Sequence, residues 1–128
     1  MEDNYVYLDA YVYPSDMQTI MVNDNDGYGG AHQYICFASQ GFKDGQAIYS
    51  DTEIAVDFVQ KLEDGTIYEG LQSEQLAYIL RHRAIQLGNK YPHEWTTKMI
   101  EGLDMFLQAC RDRVESRINR GVMGELKD

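Results

Sequence analysis

The stretch WTTKMIEGLDMFLQACRDRVESRINRG, residues 95–121, decides the C-terminal half of the fold. Its apolar side chains recur every three or four residues, which is the spacing of one face of an α-helix. They are Trp95, Met99, Leu103, Phe106, Cys110, Val114 and Ile118. This spacing predicts a helix from about Trp95 to Arg120 that ends at Gly121. At a rise of 1.5 Å per residue the apolar line is about 35 Å long. Because a small sheet cannot cover that length, we expect part of the line to pack on another protomer.

A second helical pattern precedes this stretch. Ser73 is a candidate N-cap, and apolar residues follow at spacings of three, four and seven: Leu76, Ile79, Leu80 and Leu87. Gly88 is expected to end the helix. The linker GNKYPHE, residues 88–94, contains Pro92, which is typical of a loop or a first helical turn. Residues 71–128 are therefore predicted to form a two-helix hairpin.

The N-terminal half has the pattern of β-strands. In YVYLDAYVY, residues 5–13, the side chains alternate with a period of two, which gives a strand two distinct faces. The predicted strands are 5–13, 17–22, 32–38 and 53–60, separated by the turns NDNDGYGG (23–30) and GFKDG (41–45) and followed by EDGT (63–66). The predicted fold class is α+β. An N-terminal antiparallel β-sheet (1–70) is followed by the C-terminal helical hairpin (71–128) in one compact unit.

Charge is distributed unevenly along the chain, whose formal net charge is −10. Residues 1–80 hold 14 acidic residues and two lysines, whereas residues 81–128 hold seven acidic and nine basic residues. Such an acidic body disfavours binding to DNA or RNA, which need an extended basic surface. A small phosphorylated ligand in a local arginine pocket stays compatible with it.

The chain is expected to be a soluble intracellular protein. No apolar run is long enough to span a membrane, and no secretory leader is evident. Cys36 and Cys110 lie in apolar periodic segments and lack C-x-x-C spacing, so we expect reduced core residues.

Three arginines near the end of the long helix share one face, since Arg113, Arg117 and Arg120 are four and three residues apart. None has an acidic residue three or four positions away, whereas Arg111 has Glu115 at the fourth position. Like charges on one helical face are unfavourable, so something outside the helix should compensate. One interpretation is that acidic residues of the sheet or of another subunit pair with them. The other is an anion site, because guanidinium groups bind phosphate oxygens bidentately and stack on bases.

Other motifs give weaker signals. The acidic loop 23–30 lacks the ligand pattern of an EF-hand and is predicted to be a plain turn. His32, His82 and His93 lack metal-ligand spacing, so no metal site and no cofactor are predicted. No pattern typical of a catalytic nucleophile or a tuned base is present, which disfavours an enzyme.

Four stretches carry a resemblance to a known family. They are GGAHQY (29–34), FVQKLEDGTIYEGLQSEQLAYIL (58–80), the pair His82 and Arg83, and RDRVESRINRGVMG (111–124). Together they resemble the phage anti-defence sponge proteins of the first Thoeris anti-defence type. That family shares its helical hairpin with an anti-CBASS sponge family. The last stretch is the most specific, although Met123 stands where the family usually has glutamate.

The resemblance implies both a function and an assembly. Members of that family are dimers, and in many cases hexamers built from dimers. They bind the cyclic ADP-ribose isomers that signal Thoeris immunity and do not cleave them. Some also hold cyclic di- or trinucleotides at separate sites. The implied partner is thus a small cyclic nucleotide in a homo-oligomer, in the cytoplasm of the infected bacterial host, with no membrane, DNA or RNA partner.

The resemblance also implies the ligand-binding residues. Arg113 and Arg117 match two family arginines that contact the ligand between protomers, and Arg120 matches a third arginine of the motif. Where the family has an aromatic residue at the end of the first helix, this chain has Gln86 or Leu87, and Thr96 stands in place of a family asparagine. Trp95 or Tyr91 could supply the stacking surface. His32, from the first motif, completes the expected set.

Three hypotheses follow. The first is a non-enzymatic sponge that blocks Thoeris defence, with the binding of CBASS cyclic oligonucleotides left open. The second is an enzyme that degrades such nucleotides, which would need a positioned base or a metal. The third is a protein-binding adaptor whose arginines meet an acidic partner.

Overall fold

The computed structural model describes residues 4–23 and 31–121, and within them the architecture is α+β. Four antiparallel strands form one sheet in the order β1-β2-β3-β4, two short strands form a second sheet, and two helices follow. The bounds are β1 Tyr5–Tyr7, β2 Ile20–Asn23, β3 Gln33–Lys43, β4 Gln46–Asp57, β5 Gln60–Lys61, β6 Ile67–Tyr68, α1 Ser73–Lys90 and α2 Glu94–Asn119. The predicted fold class, an antiparallel sheet followed by a helical hairpin, is confirmed.

The chain divides into two units, residues 1–70 with the strands and residues 71–128 with the helices. Residues 24–30 of the predicted turn 23–30 and the motif residues 122–124 lie outside the described residues. Within the described residues neither helix is long and apolar enough to cross a membrane.

The central hairpin of the sheet, β3 and β4, is longer than predicted. Its turn lies at Asp44 and Gly45, within the predicted segment 41–45, and their φ angles are 54° and 79°. Glycine reaches such left-handed angles without a steric cost. The distal half of the hairpin was missed because its residues are mostly polar and exposed. Backbone hydrogen bonds between β3 and β4 stabilise this distal half. Such bonds form with any side chains, so the sequence shows no apolar alternation there.

The first predicted strand, 5–13, is wrong in its length. β1 ends at Tyr7, because the Ala10 N–H donates to the Leu8 carbonyl at 2.8 Å and turns the chain. A period of two shows only that side chains alternate; it does not show that a neighbouring strand continues to pair. β2 also begins later than predicted, at Ile20.

The predicted strand 53–60 is interrupted after β4. Phe58 donates its backbone N–H to the His32 carbonyl at 2.7 Å, and the chain then enters the small β5–β6 hairpin. The predicted turn at 63–66 is confirmed there. Gly65 has a φ of 89° and donates its N–H to the Leu62 carbonyl at 3.0 Å.

Each helix begins one residue earlier than predicted, α1 at Ser73 and α2 at Glu94. The N-cap of α1 is Gln72 rather than Ser73, and the Gln72 N–H donates to Oε1 of Gln75 at 2.8 Å. The N-cap of α2 is His93, whose Nδ1 accepts the Trp95 N–H at 3.1 Å. Each cap satisfies a backbone donor that has no partner inside the helix.

Gly88 does not end α1, which continues to Lys90. A Cβ atom at Gly88 would lie 2.9 Å from Cγ2 of Thr96, so any larger residue there would collide with α2 unless Thr96 moved. Further along the hairpin, Arg81 Nε lies 2.6 Å from Asp104 Oδ1. The sequence prediction was wrong because glycine also serves close packing, and a single sequence does not distinguish that use from a helix end.

Large apolar side chains on the helices remain exposed. Few apolar residues are buried among those described, namely Met21, Ile35, Ala47, Ala77 and Ala84. By contrast, exposed fractions of 44–74% are found at Tyr91, between the helices, and on both helices at Tyr78, Ile79, Leu80, Leu87, Trp95, Met99, Met105, Phe106 and Ile118. Exposed apolar side chains grouped in this way are typical of an interaction surface.

Candidate functional site

Arg111, at the arginine-rich end of α2, forms the ion pair that its spacing from Glu115 predicted. Its Nε lies 3.2 Å from Oε1 of Glu115, one helical turn away. Both side chains are mostly exposed, so this pair contributes at most about 1 kcal/mol. It turns Arg111 away from the face that carries the other three arginines.

Those three arginines share a helical face but have different surroundings. Arg113 is exposed, whereas Arg117 is buried, with 7% of its surface accessible. Arg120 is the C-cap, and its Nε donates to the carbonyl and to Oγ of Ser116 at 3.3 and 3.2 Å. Each of the three takes part in further polar, ring or electrostatic contacts within the chain. Arg113, which is exposed and lies away from the helix cap, is the member of the motif best placed to meet a ligand.

A groove between α1 and α2 is a candidate site on the hairpin, with a volume of about 880 Å³. Its apolar wall includes Leu80, Leu87 and Leu103. Three cationic side chains also line it, namely Arg83, Lys90 and Lys98, together with the imidazole of His82. Among residues 4–23 and 31–121, no acidic residue lines it. A cationic groove in a chain of net charge −10 is a local exception to the charge of the whole.

Three predicted site residues line this groove, namely Gln86, Leu87 and Tyr91. Tyr91 lies at its hairpin-turn end and is 62% exposed. The Lys90 ammonium is 5.8 Å from the Tyr91 ring centroid, within the range of a cation–π contact. The structure therefore combines positive charge, an aromatic ring and an apolar wall, the groups that hold the phosphates and the base of a nucleotide.

Trp95 and Thr96 occupy different positions near the same turn. Trp95 stacks against His93, with ring centroids 3.8 Å apart, and is 63% exposed. Thr96 is buried against Gly88 and lines a second cavity of about 230 Å³, together with His93 and Asn89 rather than with the residues of the groove.

The predicted site residues do not all meet within one chain. From Thr96 to Arg113 the distance along α2 is about 25 Å at 1.5 Å per residue. His32 lies in the sheet unit, where it is buried just before β3. The hairpin alone thus has an arginine end and a groove end, and a ligand of nucleotide size cannot span both.

The cationic residues of the groove were not among the predicted site residues. Arg83, Leu87 and Lys90 are spaced by four and three, so helical geometry places them on one face once α1 is known to reach Lys90. Taking Gly88 as the helix end hid that face. Lys98 could not be found in this way, because only the packing of α2 on α1 brings it to the groove.

Cys110 is a half-buried thiol on α2. Burial raises its pKa, the negative charge of Glu74 raises it further, and the positive charge of Arg113 partly offsets both effects. The thiol is therefore held in its protonated form near neutral pH, which disfavours a role as nucleophile. Among the described residues there is no group of His, Cys, Asp and Glu that could hold a metal ion.

Comparisons with known proteins add no relative. No protein-family model matches the chain, and no curated protein matches it. The resemblance in residues 29–124 therefore rests on the four quoted stretches.

Proposed function

We propose that this chain is a non-enzymatic sponge that binds cyclic ADP-ribose-type immune signals and withholds them from the Thoeris effector of an infected bacterium. The observation that carries the proposal is the cationic, apolar-walled groove of the hairpin. It is a nucleotide-sized site with Tyr91 at one end and Arg83, Lys90 and Lys98 around it. The arginine motif at 111–124, with its family resemblance, points to the particular class of nucleotide.

The charges of the groove and of the proposed ligand support this assignment. A cyclic ADP-ribose isomer carries a pyrophosphate, which guanidinium and ammonium groups bind through charge-assisted hydrogen bonds. Its adenine can stack on an exposed aromatic ring such as Tyr91. The acidic remainder of the chain repels long nucleic acids but admits a small dianion to a local basic site.

The separation of the two ends of α2 favours a site shared between copies of the chain. Because Arg113 lies about 25 Å from the groove's turn end along the helix, it can join that site only when it comes from a second copy. We therefore propose a homo-oligomer in which Arg113 of one copy meets the groove of the other. Sequestration needs tight binding and no turnover, so no catalytic group has to be added to this arrangement.

A capture-and-release measurement tests the proposal. The purified chain is mixed with cyclic ADP-ribose isomers, and in parallel with cyclic di- and trinucleotides; free ligand is removed, the protein is heat-denatured, and mass spectrometry identifies what is released. We expect an intact cyclic ADP-ribose isomer from the wild type. Losing one buried charged contact to phosphate should weaken capture by the Arg113→Ala or Lys90→Ala variant by at least about tenfold.

Arg111→Ala is the matched control, because it removes an arginine of the same helix that pairs with Glu115 instead. It should capture ligand as well as the wild type does. A chemically altered ligand in the released fraction would identify an enzyme. Failure to capture any of these nucleotides would overturn the sponge and favour the adaptor hypothesis.

A further inference from the structure

Strand β4 is an edge of the four-stranded sheet. Within the described residues it pairs on one side only, with β3. From Glu53 to Asp57 its register with β3 is regular, and Ala55 lies opposite Ile35. The outer side of an edge strand presents unpaired backbone N–H and C=O groups, which can pair with a further strand. This edge can therefore accept a strand whose side chains fit it.

The register shows which backbone groups point outward. The Phe58 N–H donates to the His32 carbonyl at 2.7 Å, and these two residues continue the register of β3 and β4. Hydrogen-bonded pairs alternate with pairs that lack hydrogen bonds in an antiparallel ladder. The N–H and C=O groups of Glu53, Ala55 and Asp57 are therefore directed away from β3.

Local features limit this edge at both ends. Before Glu53 the register shifts, and the Thr52 N–H donates to Ser50 Oγ at 3.2 Å. Such an irregularity interrupts the pairing of a strand. At the other end a Cβ atom on Gly70 would lie 2.8 Å from the Asp57 carbonyl oxygen, so the chain at Gly70 approaches the backbone closely there. The regular, accessible edge thus spans residues 53–57.

The side chains of this segment give the edge two different faces. Glu53 and Asp57 project on one face with the small side chain of Ala55 between them, and all three residues are exposed. Ile54 and Val56 project on the other face, where Ile54 is 51% exposed. The edge is therefore acidic on one face and apolar on the other.

These two faces define the side chains of a strand that fits. The residues opposite Glu53 and Asp57 should be lysine or arginine, because opposite charges in cross-strand pairs are favourable and like charges are unfavourable. The residues between them should be apolar and β-branched, since they lie beside Ile54 and Val56. A second copy of β4 does not meet these requirements, because antiparallel pairing centred on Ala55 would place Glu53 of one copy opposite Asp57 of the other.

We propose that the β4 edge at residues 53–57 is a docking site for an extended segment of another protein, with basic side chains on one face and apolar side chains on the other. The segment adds a fifth strand to the four-stranded sheet. The surrounding charge attracts such a partner, since residues 1–80 hold 14 acidic residues and two lysines. The acidic pair also opposes self-association through this edge. This docking site does not depend on the proposed function.

Fluorescence anisotropy with a labelled synthetic peptide, Thr-Lys-Val-Thr-Val-Lys-Thr with blocked ends, tests the docking on the full chain. Its central threonine is designed to lie opposite Ala55, which places its lysines opposite Glu53 and Asp57. We expect saturable binding, and a peptide with glutamate in place of both lysines should bind at least about tenfold more weakly.

Methylation of single backbone nitrogens separates strand pairing from simple charge attraction. N-methylation of the central threonine removes a donor that pairs with β4, so it should weaken binding by about tenfold. N-methylation of a valine is the matched control, because the N–H of that residue points away from β4. It should leave the affinity unchanged.

Variants of the chain test the same register. The double variant Glu53→Lys/Asp57→Lys should bind the glutamate peptide more tightly than the lysine peptide. Ala55→Pro removes the outward N–H at the centre of the edge and should weaken binding of the lysine peptide by about tenfold. Ala55→Ser keeps that N–H and should bind as the wild type does. Circular dichroism verifies that each variant keeps its secondary structure.

Two results would overturn the proposal. One is a lysine peptide that does not bind the wild-type chain even at millimolar concentration. The other is an equal affinity of the two N-methylated peptides, since charge alone would then explain the attraction.

Discussion

The two sides of α2 are similar in composition but differ in what covers them. On the side of Thr96, which packs on Gly88 of α1, the apolar residues Leu103 and Leu107 are half-buried. On the side that carries Trp95 and Gly102, the Met99 and Phe106 side chains are 51% and 44% exposed. Helical periodicity marks apolar positions on both sides equally well. The difference teaches that a helix can satisfy one apolar side within its own chain and keep the other for association.

The strongest test of this comparison changes the covered side. Gly88→Leu should lower the free energy of unfolding by about 2 kcal/mol, because even a Cβ atom there lies 2.9 Å from Thr96 and forces α1 and α2 apart. Chemical denaturation followed by circular dichroism measures the change. An unaltered stability would show that the close approach at Gly88 does not hold the hairpin together.

A smaller effect of opposite sign is expected on the exposed side. Gly102→Ala adds a methyl group in open space within a helix, so it should stabilise the hairpin by up to about 1 kcal/mol. The denaturation should be carried out at a chain concentration low enough for the monomer to predominate. A loss of stability in the monomer would mean that Gly102 is covered within the chain.

The smallest effect concerns Cys110, at the border between the two sides. Its pKa is raised in the folded chain, so the folded state holds the thiol proton more tightly than the unfolded state does. The resulting stability is fully present below the unfolded-state pKa and is lost as the pH rises through the folded pKa. Alkylation of a Cys36→Ala variant should therefore show a higher pH midpoint when folded than in denaturant.

Arg113 provides the control for that measurement. Its positive charge lowers the Cys110 pKa, so Arg113→Ala should move the folded midpoint to a still higher pH, whereas Arg111→Ala should not. Equal midpoints for the folded and denatured chains would contradict the raised pKa.

Local sequence patterns predicted which helices and strands form better than they predicted where each one begins and ends. Alternation at 5–13 and the spacing from Trp95 onward indicated strand and helix, because side-chain periodicity is a property of a segment by itself. The end of β1 at Tyr7 and the polar extension of β3 and β4 were missed, since hydrogen bonds to neighbouring segments determine them. Gly88 was misjudged for the same reason: its partner Thr96 is close in space only after the helices pack.

The candidate site divides in a similar way. Helical geometry alone places Arg113, Arg117 and Arg120 on a common face. It does not predict that Arg117 is buried or that Arg120 donates a hydrogen bond to Ser116. The expected roles of Arg113 and of the residues around Tyr91 in ligand binding stay predictions that the capture measurement tests.

The sequence by itself determined the α+β class, the helical hairpin and the excess of positive charge near the C-terminus, because periodicity and composition are written along the chain. Only the tertiary structure decided where that charge becomes a site. Packing of α2 on α1 places Lys98 beside the groove that carries Arg83 and Lys90, and it leaves the side of α2 with Trp95, Phe106 and Arg113 exposed. The physical reason is that a groove and an uncovered face are relations between elements, and no single segment contains them.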